Sequence, residues 1–224
     1  MNLSKSLEFF NPAEQLHGRI SIIGTGAVGS YIATALARLG CTNIHLYDFD
    51  RVESKNIVNQ MFTEEDVGML KVDAVERMLL RINHEITVVK HPEGLKAPYH
   101  VLGYVFLCVD NIDLRREIVQ KNRFNSGCFC FADCRMALTS GQHYFANNAV
   151  PGQVDQLLQT MNFSQEEAQE AVPVSACGTE LGVGYNVQVL TGMAVMNFVK
   201  FCMDETPFYT IFTDLKNGVI DCFK

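Results

Sequence analysis

Behind the run Gly24-Thr25-Gly26-Ala27-Val28-Gly29 stand Asp48 and Asp50, then Asn56, Gln60 and Lys71, and much later Asp110. A glycine turn opening a helix presents free backbone amides to an anion. Carboxylates nearby can hold sugar hydroxyls or a hard cation, side-chain amides can donate to phosphate oxygens, and a lysine can neutralise phosphate charge. These residue types suit nucleotide chemistry driven by positioning and charge neutralisation.

Positioning requires regular elements on either side of the turn. Residues 19–23 are a short β-branched run fit for a buried parallel strand, and residues 27–39 carry apolar side chains at helical spacing up to Gly40. Strand, glycine turn and helix in that order make the pattern credible. Gly24 then serves the tight turn, Gly26 the approach of a phosphate, and Gly29 the close packing of helix on strand. A glycine-rich turn without a ligand is the plain alternative. A second strand, residues 43–47, ends at Asp48. A dinucleotide dehydrogenase places one acidic residue here, about 20 residues on, for the ribose. The second carboxylate, Asp50, is of more use for Mg²⁺, which takes one or two carboxylates plus phosphate oxygens. A solvated loop carboxylate is its plain alternative.

The remaining periodicity predicts an amphipathic helix over residues 68–83, strands at 85–89 and 104–108, a helix at 114–124, a strand at 128–132 and an antiparallel strand at 141–146. The fold class is α/β, a doubly wound and mostly parallel sheet with antiparallel strands toward the C-terminus. Residues 1–18 form an N-terminal segment and 19–224 one nucleotide-binding domain, long enough to bury a core. The looser stretch at 150–178, with a polar helix at 154–161 and then residues 165–170, is expected to be a mobile crossover over the site. An apolar helix follows over 181–202.

The polar string reads Asp48-Phe49-Asp50-Arg51-Val52, Lys55-Asn56-Ile57-Val58-Asn59-Gln60, Asp66-Val67-Gly68-Met69-Leu70-Lys71 and Leu107-Cys108-Val109-Asp110-Asn111. In order and spacing it resembles the ThiF/MoeB/HesA group, bacterial relatives of ubiquitin-activating enzymes, over residues 19–125 and more weakly to 200. The resemblance implies a Rossmann-like, ThiF-type site for ATP and Mg²⁺. Asp48 would hold the ribose, Asn56 and Gln60 would line the phosphate path, Lys71 would contact phosphate, and Asp110 with Asp50 would hold magnesium. The implied reaction is attack of a carboxylate on the α-phosphorus of ATP, giving an acyl-adenylate and pyrophosphate. The carboxylate would belong to a ubiquitin-like or sulfur-carrier protein, or to a peptide C-terminus. The group's dimers, with the surplus of apolar positions at Val187, Leu190, Met193, Val195, Met196 and Phe198, imply a homodimer.

Two departures stand out. Asn59 replaces the arginine that the group carries before its glutamine, and residues 1–18 contain no arginine. An amide cannot replace a guanidinium's charge. Slower adenylation, a supply of charge from Arg51 or Lys55, or a relative that binds without turnover would each follow. An NAD(P)- or FAD-dependent oxidoreductase would explain the glycines and Asp48 but leave Asn56, Gln60, Lys71 and Asp110 idle.

Cys177 lies in Ser175-Ala176-Cys177-Gly178-Thr179, ahead of the last helix. The resemblance makes it a candidate acceptor of the activated group, and an exposed thiol at a helix start would have a lowered pKa. A buried apolar thiol is the other reading. None of the eight cysteines forms Cys-x-x-Cys, so no zinc is expected, and Cys128, Cys130 and Cys134 read as strand or core residues. His17, His45 and His143 show no metal spacing and read as ordinary surface or strand residues. No leader or apolar run of about 18 residues occurs, so a cytoplasmic protein with reduced thiols and no membrane association is expected. A net charge of −7 argues against nucleic acid as a partner.

Overall fold

Two strands buried along their whole length form the centre of the molecule, Ile20–Ile23 and Gly103–Leu107. Such runs, apolar on both faces, need cover on both sides. In chain order the computed structural model contains α1 (Pro12–Gln15), β1 (Ile20–Ile23), α2 (Ala27–Arg38), β2 (Asn43–Tyr47), α3 (Lys71–Ile82), β3 (Thr87–His91), β4 (Gly103–Leu107) and α4 (Ile112–Asn122). These are followed by β5 (Cys128–Met136), β6 (Ser140–Asn147), α5 (Gln153–Gln159), α6 (Gln165–Glu170), α7 (Gly184–Cys202), β7 (Thr210–Asp214) and β8 (Val219–Phe223). The structure describes residues 1–150, 152–170, 174–176 and 181–224.

One sheet of eight strands runs β3-β2-β1-β4-β5-β6-β7-β8. It is parallel from β3 to β5 and antiparallel from β5 to β8. On one face Ile20, Ile22, Ile44, Leu46 and Phe106 pack with α2, α3 and α7 around Ile32, Leu36, Val75 and Phe198. On the other, Ile23, Val105, Leu107 and Phe131 pack with Ile118, Val119 and Leu157 from α4 and α5. The expected doubly wound sheet with a C-terminal antiparallel part is the fold observed. Its order reverses between β1 and β4, and the crevice beyond their carboxyl ends is where such sheets bind ligands.

Several boundaries differ from the sequence expectation. The helix expected from residue 68 begins at Lys71, because Gly68 takes φ +89° and its N–H bonds Val52 O at 2.9 Å. Residues 67–69 form a turn, and extended Leu70 (φ −61°, ψ 137°) pairs with Arg51 in an isolated antiparallel bridge. The strand expected at 85–89 begins at Thr87, since Ile86 N–H is turned back onto Asn83 O. Strand β5 runs four residues past Ala132, paired with β6 to the Met136–Gly141 rung. The last helix starts at Gly184 instead of residue 181, after extended Val183 (φ −128°, ψ 134°).

Cys128, Cys130 and Cys134 are buried on β5 as expected. A register shift inserts Phe129 between rungs and turns Cys128 to the opposite face from Cys130 and Cys134. His143 is wholly buried on β6, with Nδ1 3.2 Å from Asp133 O. Burial pushes its pKa down to about 4. The unfolded chain therefore binds a proton between about pH 6.5 and 4 that the folded chain refuses, and stability falls as pH drops through that window, by about 3 kcal/mol. Urea unfolding at pH 7 and pH 4.5 should show this loss in the wild type and a smaller one in His143→Leu. Equal losses would contradict the assignment.

Residues 1–18 pack at the amino ends of the strands, away from the crevice. Leu3 lies against Gly40, Phe10 is 1% exposed, and His17 N–H bonds the Tyr104 hydroxyl at 3.2 Å.

Candidate active site

The ends of three neighbouring strands meet at the crevice. Gly24 follows β1, Asp48 follows β2, and Cys108 to Asp110 follow β4. Gly24 takes φ +92°, and a Cβ there would lie 2.8 Å from the Cys108 carbonyl, so the turn after β1 lies against the turn after β4. Gly26 forms the N-cap of α2 and offers no side chain, which leaves the first amides of that helix open to an anion.

Asp48 is nearly buried and already engaged. Its Oδ2 accepts from Thr25 N–H at 2.7 Å and from the Thr25 hydroxyl at 3.0 Å, and its Oδ1 accepts from Asp50 N–H at 2.9 Å. Of the roughly four lone-pair sites of a carboxylate, about one is left for a sugar hydroxyl. Asp48 thus fixes the glycine turn before any ligand arrives. Thr25 had no role in the sequence reading.

Lys71 is brought to Asp50 twice over. Its backbone N–H bonds Asp50 O at 2.9 Å, and Nζ lies 2.8 Å from Asp50 Oδ2. The extended bridge that replaces the first turn of the expected helix is what delivers it there. The lysine side chain is 10% exposed and the aspartate side chain 51%, so the ion pair has its acid side toward solvent.

Asn56 Oδ1 accepts from Glu53 N–H at 2.9 Å and closes a local capping box, which leaves its NH₂ as the group available to a phosphate. Gln60 lies beside Gly26, its amide 3.8–3.9 Å from where a Cβ would stand. Its Oε1 is buried without a partner, an unmet acceptor against the phosphate turn. Asp110 is exposed and holds no hydrogen bond or ion pair among the described residues. The structure therefore brings Gly24, Gly26, Gly29, Asp48, Asp50, Asn56, Gln60 and Lys71 together, with Asp110 on the adjoining turn. Cys177 lies outside the described residues.

Asn59, in place of the expected arginine, lies against the chain leading into α7. A Cβ on Gly182 would stand 2.2 Å from its Nδ2. Arg51 and Lys55 are exposed, one bonded to Gly68 O and the other paired with Glu53. The other polar residues missed from sequence are Arg115, Asp133 and Arg135, which are buried or nearly so behind the Asp110 turn. The available signal was an arginine on the apolar face of α4, among Ile112, Ile118 and Val119.

The donor set fits Mg²⁺. One free carboxylate and one paired to lysine suit a cation that keeps most of its shell as water and phosphate oxygen. No group of three or more His, Cys, Asp or Glu able to hold a metal by itself occurs among the described residues. Among the described cysteines, Cys41, Cys108 and Cys128 are pushed up to about 12 by burial and stay thiols at neutral pH. A cavity of about 640 Å³ lined by Tyr104, Phe129, Phe201 and Asp204 lies at the amino ends of the strands, apart from this chemistry. No helix among the described residues is long and apolar enough to cross a membrane.

Residues 9–219 match the ThiF family. The chain belongs to that family. Ubiquitin-like modifier-activating enzyme 5 of Rattus norvegicus is 28% identical to this ThiF-family chain over 217 residues, 82% of the chain and 49% of its own length. The enzyme of the same name from Drosophila mojavensis is 38% identical over 117 residues, 44% of this chain and 29% of its own. Among solved structures, E. coli MccB with ATP gives a TM-score of 0.75 at 17% identity, over 93% of this chain and 64% of that one. PaaA gives 0.73 at 18% identity, over 94% and 65%. At such identity the likeness is one of fold. The chain spans about half or less of the length of the curated relatives it matches.

Proposed function

We propose that this ThiF-family chain uses ATP to activate a carboxylate, that of a ubiquitin-like or sulfur-carrier protein or a peptide C-terminus, as an acyl-adenylate. The observation that carries the reading is the Lys71–Asp50 ion pair held beside the glycine turn, with the unpaired Asp110 on the next strand end. A dehydrogenase has no use for that trio. The names of the relatives, activating enzymes for ubiquitin-like modifiers, support the substrate class.

In the reaction a carboxylate oxygen attacks the α-phosphorus, the bond to the bridging oxygen of the β-phosphate breaks, and pyrophosphate leaves with the electron pair. The amides after Gly26, the NH₂ of Asn56 and Lys71 Nζ neutralise and orient the phosphates, while Asp48 takes the ribose with its remaining lone pair. Magnesium, held by Asp110 and Asp50 when bound, supplies charge neutralisation on the phosphate oxygens. Swinging to the phosphates would release Lys71 from Asp50 and free that carboxylate for the cation. A homodimer belongs to this proposal on the family resemblance.

ATP–pyrophosphate exchange in the presence of peptides ending in Gly-Gly is the test, and exchange that depends on the free carboxylate is expected. A specific observation favours a second reading, nucleotide binding without turnover. The place of the expected arginine is taken by Asn59 packed on Gly182. ATP binding with no exchange for any carboxylate offered would select that reading.

A further inference from the structure

Arg115 stands on the inner face of α4, 5% exposed, and its guanidinium points at the turn that carries Asp110. One terminal nitrogen donates to Leu107 O at 3.0 Å and also to Asp133, and the other donates to Val109 O. Two of its acceptors are thus backbone carbonyls of the turn itself, on either side of Cys108. Asp133, wholly buried on β5, faces Leu107 across the sheet and takes a second cation, Arg135, at 2.7 Å. Arg135 then donates to the carbonyl and the hydroxyl of Thr160, both at 2.7 Å, where α5 ends. Arg116, the next residue on α4, donates to Met161 O and Phe163 O in the same stretch.

A buried ion pair is a poor way to gain stability, since well-packed apolar groups of the same volume do as well or better. Here the charges do something apolar side chains cannot, because they donate hydrogen bonds to the carbonyl oxygens of Leu107 and Val109, where β4 gives way to the turn. We propose that Arg115, locked by Asp133 and backed by Arg135, is a positioning residue for the reaction. It fixes the 107–110 turn so that Asp110 presents its carboxylate to the metal–nucleotide, and through Asp133 and Arg135 it fastens that turn to the end of α5 at Thr160. The inference rests on the adenylation reading given above.

Two variants test it on the full chain. Arg115→Lys keeps the charge and loses the fork, while Arg135→Met leaves the Arg115–Asp133 pair intact and cuts the link to Thr160. AMP binding by calorimetry, which needs no magnesium, reports whether the site is folded. ATP binding titrated against Mg²⁺ reports the placement of Asp110. With AMP affinity unchanged, Arg115→Lys should raise the Mg²⁺ concentration needed for ATP binding about 10- to 100-fold, the usual effect of losing a group that orients a ligand. Arg135→Met should shift it less, in the same direction. In exchange assays kcat should fall more than KM for ATP rises. Where Arg115→Lys fails to fold, Arg135→Met decides alone. Variants that bind AMP normally and keep the wild-type Mg²⁺ dependence would overturn the positioning role while leaving the adenylation reading untouched. A wild type that binds neither AMP nor ATP–Mg²⁺ would overturn both.

Discussion

Asp110→Asn should lower ATP–pyrophosphate exchange by about 10²- to 10³-fold, the effect of removing one preorganised electrostatic group from a phosphoryl-type site. The variant keeps the shape of the side chain and loses only its charge. Asp110 is exposed and bonded to no described residue, so stability should stay within about 0.5 kcal/mol of wild type. That pairing of a large kinetic effect with a negligible stability effect separates a metal-holding group from a structural one. Exchange at the wild-type rate in Asp110→Asn would remove it from the site.

The second large effect falls on stability and splits the glycine motif in two. A Cβ on Gly29 would stand 1.9 Å from Gly24 O, and that oxygen has little room to move, because Gly24 lies so close to Cys108 and Val109 that a Cβ on it would stand 2.8 Å from their backbone. Gly29→Ala should therefore cost about 3 kcal/mol, at the upper end for one added methyl in a packed core. Gly26→Ala is different in kind. Its Cβ would meet only the Gln60 side chain at 3.8–3.9 Å, so the fold should persist while the approach of a phosphate is blocked. Urea unfolding combined with ATP binding checks both. A Gly29→Ala protein as stable as wild type would show that α2 can pull away from β1, contrary to the packing described.

The glycine turn, the two acids after β2 and the order of strands and helices were legible because each depends on local spacing. Gly24, Asp48 and Asp110 end up together at the carboxyl ends of the strands simply because each follows a parallel strand. The turn at residues 67–69 and the bridge at Leu70 were not legible. Val72, Val75, Met78, Leu79 and Ile82 set a helical period that nothing local interrupts, and only the pairing of Arg51 with Leu70 across the site turn decides where the helix begins. The Arg115–Asp133–Arg135 network was hidden for the same reason. Its members lie on α4 and β5, 18 residues apart between Arg115 and Asp133, and their meeting depends on tertiary packing. The double duty of Asp48, bound to Thr25 before any sugar arrives, is likewise set by a contact between residues 23 positions apart.

The central claim is that the polar string behind the glycines binds ATP–Mg²⁺, and the most direct test is the thermal midpoint with ATP–Mg²⁺, AMP, NAD and NADP side by side. A ligand at a hundred times its dissociation constant adds about 2.7 kcal/mol, several degrees for a domain of this size. ATP–Mg²⁺ is expected to stabilise the protein, with a loss of the effect when magnesium is chelated. Stabilisation by NAD or NADP with none by ATP–Mg²⁺ would contradict the account.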